Sequence, residues 1–244
     1  MIYWVQFPYT FLTGTSLLFS FAEAGKFDEV DVIPLNSTSH CTKCVPCPVH
    51  GKIGDCGEDF VVQTLLNKRI PTYLAQYDTI HGLDIVAFTT IGRNNIPLVI
   101  LHEAKMSSSS TNVSASNFKG RLGHPKSGEQ CSRSWLNSTI NHMHESKLPK
   151  VNKLALDIDY VLNKGGYFVR TGNLRVETNQ RSYLQFYAMI DKLAQEKDIE
   201  EETVFTSGPF LQRWANQYGA GFRPTYRELP LTYATINYLY SLFS

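Results

Sequence analysis

Two apolar segments near the middle of the chain have the pattern of paired strands. Residues 81–88 and 98–105 are mainly apolar, and the polar, glycine-containing residues 92–95 lie between them. Short apolar runs separated by a turn sequence predict a β-hairpin. Because side chains alternate along a strand, Glu103 and Lys105 should lie on the same face of the second strand.

The segments around this hairpin add helices and further strands. Residues 54–69, 128–144 and 181–195 repeat apolar residues at helical spacing, and we expect each of them to form a helix. Residues 157–162 and 167–170 lie on either side of a Gly-Gly turn, and we expect them to be strands. The whole pattern predicts an α/β fold, in which a mixed sheet is flanked by helices.

The N-terminal part of the chain divides into two segments. Residues 1–24 are apolar and aromatic and end in a small-x-small sequence, so they are either a secretory signal peptide or a core segment of a chain cut from a larger gene. Polar residues interrupt this run, so we expect no stable membrane span. Residues 25–53 form a cysteine-rich, loop-rich connector in this interpretation, and residues 54–244 form the main domain.

Cysteines are concentrated just before the first predicted helix. Cys41, Cys44 and Cys47 are separated by two residues each, and His50 and Cys56 follow closely. Sulfur and imidazole ligands at such spacing suit a tetrahedral structural Zn²⁺ site. The alternative is a linker joined by disulfides, which the export-like N-terminus favours.

A pair of acids in the hairpin is the candidate for chemistry. If the two strands pair, Asp84 and Glu103 meet at one edge of the sheet. Burying a carboxylate and the ammonium group of Lys105 at the end of an apolar strand is costly unless something compensates. A divalent cation held by carboxylate oxygens, together with a phosphodiester, would compensate, so the pattern indicates phosphoryl-transfer chemistry.

Glu58 is a third candidate acid. It lies at helical spacing with Val62, Leu65 and Leu66, on the face of the first predicted helix that we expect to be buried. Charged side chains are seldom buried without a partner, so an acid on this face is not expected to be an ordinary surface charge.

The order of these residues is similar to that of a known nuclease superfamily. Asp84, a spacer and Glu103-x-Lys105 resemble the core of the PD-(D/E)xK, or restriction-endonuclease-like, nucleases. Downstream, residues 130–135 resemble the Gln-x-Ser-x-x-Trp element of nuclease toxins from bacterial contact-dependent inhibition and Rhs systems. Those toxins usually carry methionine where Cys131 stands.

The resemblance implies a nuclease that depends on Mg²⁺ or Mn²⁺ and hydrolyses DNA. Asp84 and Glu103 would ligate the metal with the Ala104 carbonyl, while Glu58 would orient a water or join a second metal. Lys105 would position the attacking water and stabilise charge on the phosphoryl oxygens.

The same resemblance implies supporting residues and partners. Gln130 would support the active site, and Trp135 would serve packing. A toxin of this kind would be secreted or delivered into a target cell, would act in its cytoplasm, and would have a cognate immunity protein. Two alternatives stay open: an RNA-cleaving or junction-resolving enzyme with the same metal site, and a secreted, cysteine-containing binding protein without catalysis.

Charge constrains how such a protein could hold a nucleic acid. The chain has 23 lysines and arginines against 22 aspartates and glutamates, a net charge of +1, so it has no global basic field. Contacts to phosphates would have to come from a local cluster. The candidates all follow the hairpin in sequence: Lys119, Arg121, Lys126 and Arg133.

Overall fold

The computed structural model describes residues 29–35, 39–40, 55–77, 82–108, 112–125, 127–178, 182–191, 202–203 and 226–244. Within these ranges the strands join in one mixed sheet of nine strands. In chain order they are β1 Val30–Pro34, β2 Ser39–His40, β3 Thr72–Gln76, β4 Gly82–Ile91, β5 Ile96–Ser107, β6 Tyr167–Glu177, β7 Ser182–Asp191, β8 Glu202–Thr203 and β9 Tyr226–Glu228. The main order is β1-β7-β6-β5-β4-β3, while β2 pairs with β7, and β9 with β6 and β8.

Helices cover both faces of this sheet. They are α1 Asp55–Asn67, α2 Ala115–Lys119, α3 Arg133–Glu145, α4 Pro149–Asn163 and α5 Tyr233–Phe243. Residues of α1 and α5 pack into one apolar cluster, and residues of α2, α3 and α4 pack into a second cluster on the opposite face. The predicted α/β fold, a mixed sheet flanked by helices, is confirmed.

The centre of the sheet is the hairpin that the sequence predicts. β4 and β5 pair antiparallel, with Val86 opposite Leu101, and β5 pairs in parallel with β6. In the turn between β4 and β5, Gly92 has a φ of 72°, a left-handed conformation that glycine adopts without strain. Successive apolar residues of β5 enter the two clusters alternately, so both faces of this strand are buried.

The helix expected over residues 181–195 is wrong, because residues 182–191 form strand β7. Phe186 packs into one apolar cluster, and its neighbour Tyr187 packs into the other. A strand that is buried on both faces carries apolar residues at nearly every position. The alternation that marks a half-buried strand is therefore hidden here.

The strand expected over residues 157–162 is also wrong, because this segment belongs to α4. Leu154, Ile158 and Leu162 are buried at helical spacing, a pattern that extends beyond the short apolar run on which the strand was based. The strand expected over residues 167–170 is confirmed as the beginning of β6.

The segment expected to be a loop-rich connector, residues 25–53, contributes a strand to the sheet. The expectation of a loop is therefore wrong for residues 30–34. β1 pairs antiparallel with β7 along its length, and Val30 is buried. The expected leader, residues 1–24, lies outside the described residues. Among the helices that the structure describes, none is long and apolar enough to cross a membrane.

Candidate active site

Asp84 and Glu103 lie at the same end of the central hairpin. Ile85 pairs with His102 across β4 and β5, so Asp84 and Glu103, one step further along, face the same side of the sheet. Both side chains are buried, with exposed fractions of 7% for Asp84 and 1% for Glu103. The structure thus brings the two predicted acids together.

Asp84 is held by neutral N–H donors. The backbone N–H of Ala104 donates to its Oδ2 at 2.8 Å, and the amide Nε2 of Gln76 donates to its Oδ1 at 3.1 Å. The same Nε2 donates to Oε1 of Glu58 at 3.2 Å. Gln76 therefore joins the acid of α1 to the acid of β4, and Glu58 reaches the pair through this amide.

Glu103 uses its two oxygens differently. Oε1 accepts hydrogen bonds from Nζ of Lys105, at 2.5 Å, and from Nε2 of Gln130. Oε2 is buried and has no hydrogen-bond partner among the described residues. One oxygen is thus held in place by two donors, while the other accepts no hydrogen bond from the described residues.

The charges of this cluster shift one another's pKa values. Burial raises the pKa of Glu103 well above its ordinary value, and the negative charge of Asp84 raises it further, while Lys105 opposes the shift. Burial alone would lower the pKa of Lys105, but the carboxylate of Glu103 outweighs it and the pKa is raised. Lys105 therefore remains a cation.

Gln130 lies in the turn before α3, whereas the sequence pattern put it inside a helix beginning at residue 128. Its backbone N–H donates to the Gly123 carbonyl at 2.7 Å, and the N–H of Gly123 donates back to Oε1 of the Gln130 side chain at 3.1 Å. The next residue, Cys131, has a φ of 69°. Ser132 then caps α3 by accepting from the N–H of Trp135, whose side chain packs in the core.

Comparison with family models, curated proteins and solved structures found no match to this chain. The assignment of this site therefore depends on its residues and their geometry.

The basic candidates for nucleic-acid contact have different surroundings. Nη2 of Arg121 donates to Oγ of Ser107 at 2.6 Å, close to the end of β5, and Lys119 lies 3.7 Å from a carboxylate oxygen of Asp31. Arg133 forms an ion pair with Glu228 at 3.0 Å, which occupies the charge that was expected to face phosphate. Lys126 lies outside the described residues.

The cysteine cluster can be followed at one position. Cys56, at the start of α1, is disulfide-bonded, which favours the covalent alternative over a zinc ligand there. The other proposed zinc ligands, Cys41, Cys44, Cys47 and His50, lie outside the described residues. Over the described ranges, no group of three or more His, Cys, Asp or Glu side chains converges as a metal site.

Sequence reasoning misses Gln76, the amide between Glu58 and Asp84. A strand over residues 72–76 pairs with β4, and it places Gln76 opposite Gly82. A Cβ at Gly82 would lie 3.0 Å from the Cα of Gln76, and Gly82 has a φ of 123°, so glycine permits this close approach. The glycine before the first acid is the signal that could have identified the partner strand.

The burial predicted for the Glu58 face of α1 is correct only in part. Leu65 is fully buried, but Leu66 is 45% exposed. The buried face instead includes Val61, the residue that precedes Val62. Glu58 lies at the margin of this face, where its carboxylate can reach Gln76.

Proposed function

We propose that this chain is a metal-dependent endonuclease that hydrolyses phosphodiester bonds of DNA, as the PD-(D/E)xK resemblance implies. The observation that carries the proposal is the convergence of Asp84, Glu103 and Lys105 at one end of the central hairpin, with both acids buried. Buried charges are costly unless they are compensated, and perturbed ionisable groups cluster at functional sites.

The acids fit a hard divalent cation. Mg²⁺ and Mn²⁺ prefer carboxylate, carbonyl and water oxygens. Oε2 of Glu103 is buried without a hydrogen-bond partner in the described part of the chain, and each oxygen of Asp84 keeps a lone pair beside its N–H donor. These oxygens and the Ala104 carbonyl would hold the ion, with Glu58 supporting from the Gln76 side. The bound ion would polarise the phosphoryl group.

The chain's own residues would do the remaining work. Lys105 is a cation whose side chain is 20% exposed, so it can reach a phosphate oxygen or a water that enters from solvent. Its raised pKa suits it to stabilise negative charge on the phosphoryl oxygens and to orient the attacking water, rather than to remove a proton. Gln130 would keep the Glu103 carboxylate in one orientation.

The test is cleavage of supercoiled plasmid DNA and of transfer RNA by the purified protein. With Mg²⁺ or Mn²⁺ the protein should nick or degrade the DNA, and EDTA should stop it. Undiminished cleavage in EDTA would remove the metal from the mechanism. Cleavage of transfer RNA alone would assign the same site to the RNA-cleaving alternative.

The disulfide at Cys56 favours passage through an oxidising compartment. That fits a nuclease toxin that is exported, delivered into a target cell and neutralised by an immunity protein in the cell that makes it. It also favours the second candidate, a secreted binding protein without catalysis. The two differ in one result, because the binding protein would cleave neither DNA nor RNA under any metal condition.

A further inference from the structure

A fully buried arginine lies behind the turn that carries Gln130. Arg170, on β6, has an exposed fraction of 0% and is the largest fully buried side chain of the described residues. Its Nη1 donates to the backbone carbonyl of Cys131 at 2.9 Å, and Cys131 is the residue next to Gln130. One guanidinium group therefore fixes the backbone directly beside the amide that holds Glu103.

Glu228 holds this guanidinium in place from the other side. Nε and Nη2 of Arg170 donate to the two carboxylate oxygens of Glu228, at 2.5 and 2.9 Å, in the fork geometry of a bidentate pair. Glu228 belongs to β9, which pairs in parallel with the start of β6 and places Glu228 opposite Phe168. A connected path thus leads from the C-terminal strand to the Gln130 turn.

Stability alone is a weak explanation for this arrangement. A buried ion pair can often be replaced by apolar residues of similar volume without loss of stability. Cys131 also has a φ of 69°, in the left-handed region that costs free energy for a residue with a side chain. Backbone in sparsely populated conformations persists where the surroundings fix it, and such residues cluster at functional sites. Arg170 provides that fixation here.

We propose that Arg170, held by Glu228, is a positioning residue that keeps Gln130 hydrogen-bonded to Glu103 through the Cys131 carbonyl. The consequence for metal binding rests on the proposed function, but the consequence for the turn does not. Without the anchor, the turn would move, Gln130 would leave Oε1 of Glu103, and the carboxylate would lose one of the two donors that orient it.

Arg170→Met tests the anchor, because it removes the donors and leaves Glu228 paired with Arg133. The first measurement is independent of activity. Cys131 is buried and is the free cysteine among the described residues, so its alkylation rate in folded protein reports opening of the turn. Mass spectrometry of the Cys131 peptide should show alkylation about tenfold faster in Arg170→Met than in the wild type.

The second measurement is a double-mutant cycle with Gln130→Ala. Its readout is the Mg²⁺ concentration that half-saturates the protein, obtained by fitting the rise of Tm with added metal, which requires no cleavage. Arg170→Met should raise this concentration about three- to tenfold when Gln130 is present and should leave it unchanged when Gln130 is alanine. Equal increases in both backgrounds would show that Arg170 does not act through Gln130, and would overturn the proposal.

A matched control separates positioning from general loss of packing. His144 and Asp159 form another buried polar contact, which joins α3 to α4 and in which Nε2 of His144 lies 2.6 Å from Oδ2 of Asp159. His144→Gln should lower Tm without accelerating alkylation of Cys131 or changing the Mg²⁺ requirement. If Arg170→Met does not fold, Glu228→Gln replaces it, because this variant loosens Arg170 without removing it. Additive effects of Glu228→Gln and Gln130→Ala on the Mg²⁺ requirement would then contradict the proposal.

The outcomes also separate this inference from the proposed function. A wild-type protein that cleaves no nucleic acid, with an Arg170→Met variant whose Cys131 is alkylated faster, would contradict the nuclease and leave the anchor intact. Cleavage by the wild type, with alkylation and Mg²⁺ dependence unchanged in Arg170→Met, would contradict the anchor alone.

Discussion

Lys105 and Gln130 donate hydrogen bonds to the same carboxylate oxygen, Oε1 of Glu103. The other oxygen, Oε2, is buried and without a hydrogen-bond partner among the described residues. Hydrogen bonds to one oxygen fix the direction of this carboxylate, while the other oxygen accepts none from the described residues. This is the arrangement expected of a metal ligand, because hydrogen bonds behind a ligating carboxylate fix its direction.

The stability of the metal-free protein should fall as pH rises from acidic values. The pKa of Glu103 is raised well above its ordinary value of 4.5, so the folded protein keeps this proton at pH values where the unfolded chain has lost it. Because the folded state then binds more protons, the free energy of unfolding decreases with rising pH. The effect begins near the ordinary pKa and continues upward to the raised pKa.

Urea unfolding of wild type and Glu103→Gln across this pH range measures the effect. The amide cannot ionise, so the difference in unfolding free energy between the two proteins should grow with pH in favour of Glu103→Gln. Added Mg²⁺ should reduce the decline in the wild type alone. Parallel pH profiles for the two proteins would show that Glu103 is not the group responsible.

Lys105→Ala should lower the stability of the metal-free protein. The substitution removes the hydrogen bond that Nζ of Lys105 donates to the buried Oε1 of Glu103, and loss of a partner to a buried polar group costs about 1–3 kcal/mol. In a protein of this size that corresponds to a decrease in Tm of about 2–12 °C. Mg²⁺ should restore part of the loss, because it supplies positive charge at the same carboxylates. Lys147→Ala, at an exposed position, is the control.

The central hairpin was predictable because neighbouring residues in the sequence specify it. An apolar run, a glycine turn and a second apolar run specify β4 and β5, and alternation then assigns Asp84 and Glu103 to one face. β7 was not predictable in this way, because tertiary burial on both of its faces removes the alternation. The identity of an element that is buried on every side is decided by its neighbours rather than by its own pattern.

The site shows the same division between local and long-range information. The acids and Lys105 can be found from spacing, whereas Gln76 and Arg170 act through contacts across the sheet. Arg170 meets Glu228 over a sequence separation of 58 residues and meets the Cys131 carbonyl over 39. No periodicity in the sequence reports contacts between distant residues. The residues that make them at this site can therefore be recognised only once the pairing of the strands is known.

Glu58→Ala should reduce nuclease activity less than loss of either acid of the hairpin. The Gln76 amide joins Glu58 to Asp84, so removal of the Glu58 carboxylate leaves the Asp84 and Glu103 oxygens in place. The expected decrease is on the order of tenfold, at saturating Mg²⁺, whereas Glu103→Gln should abolish cleavage. Asp59→Ala, at the exposed neighbouring position, is the matched control. Equal losses for Glu58→Ala and Glu103→Gln would give Glu58 a direct role.

The cysteines give a prediction that needs no activity. Peptide mapping of the oxidised protein should find Cys56 in a disulfide, and Cys131 should resist alkylation until the protein unfolds. Breaking a native disulfide typically costs about 2–5 kcal/mol, so reduction should lower Tm. One equivalent of bound Zn²⁺ with Cys56 as a free thiolate would instead support a zinc site.

The most direct test of the central claim is cleavage of supercoiled DNA by wild type and by Glu103→Gln, each with Mg²⁺ and with EDTA, alongside their Tm values. The wild type should cleave only with Mg²⁺. Glu103→Gln should not cleave, although its Tm without metal should equal or exceed that of the wild type, since the substitution removes one of two adjacent buried acids. Wild-type activity in Glu103→Gln, or loss of activity only through unfolding, would contradict the account and make the acids at the end of the hairpin structural.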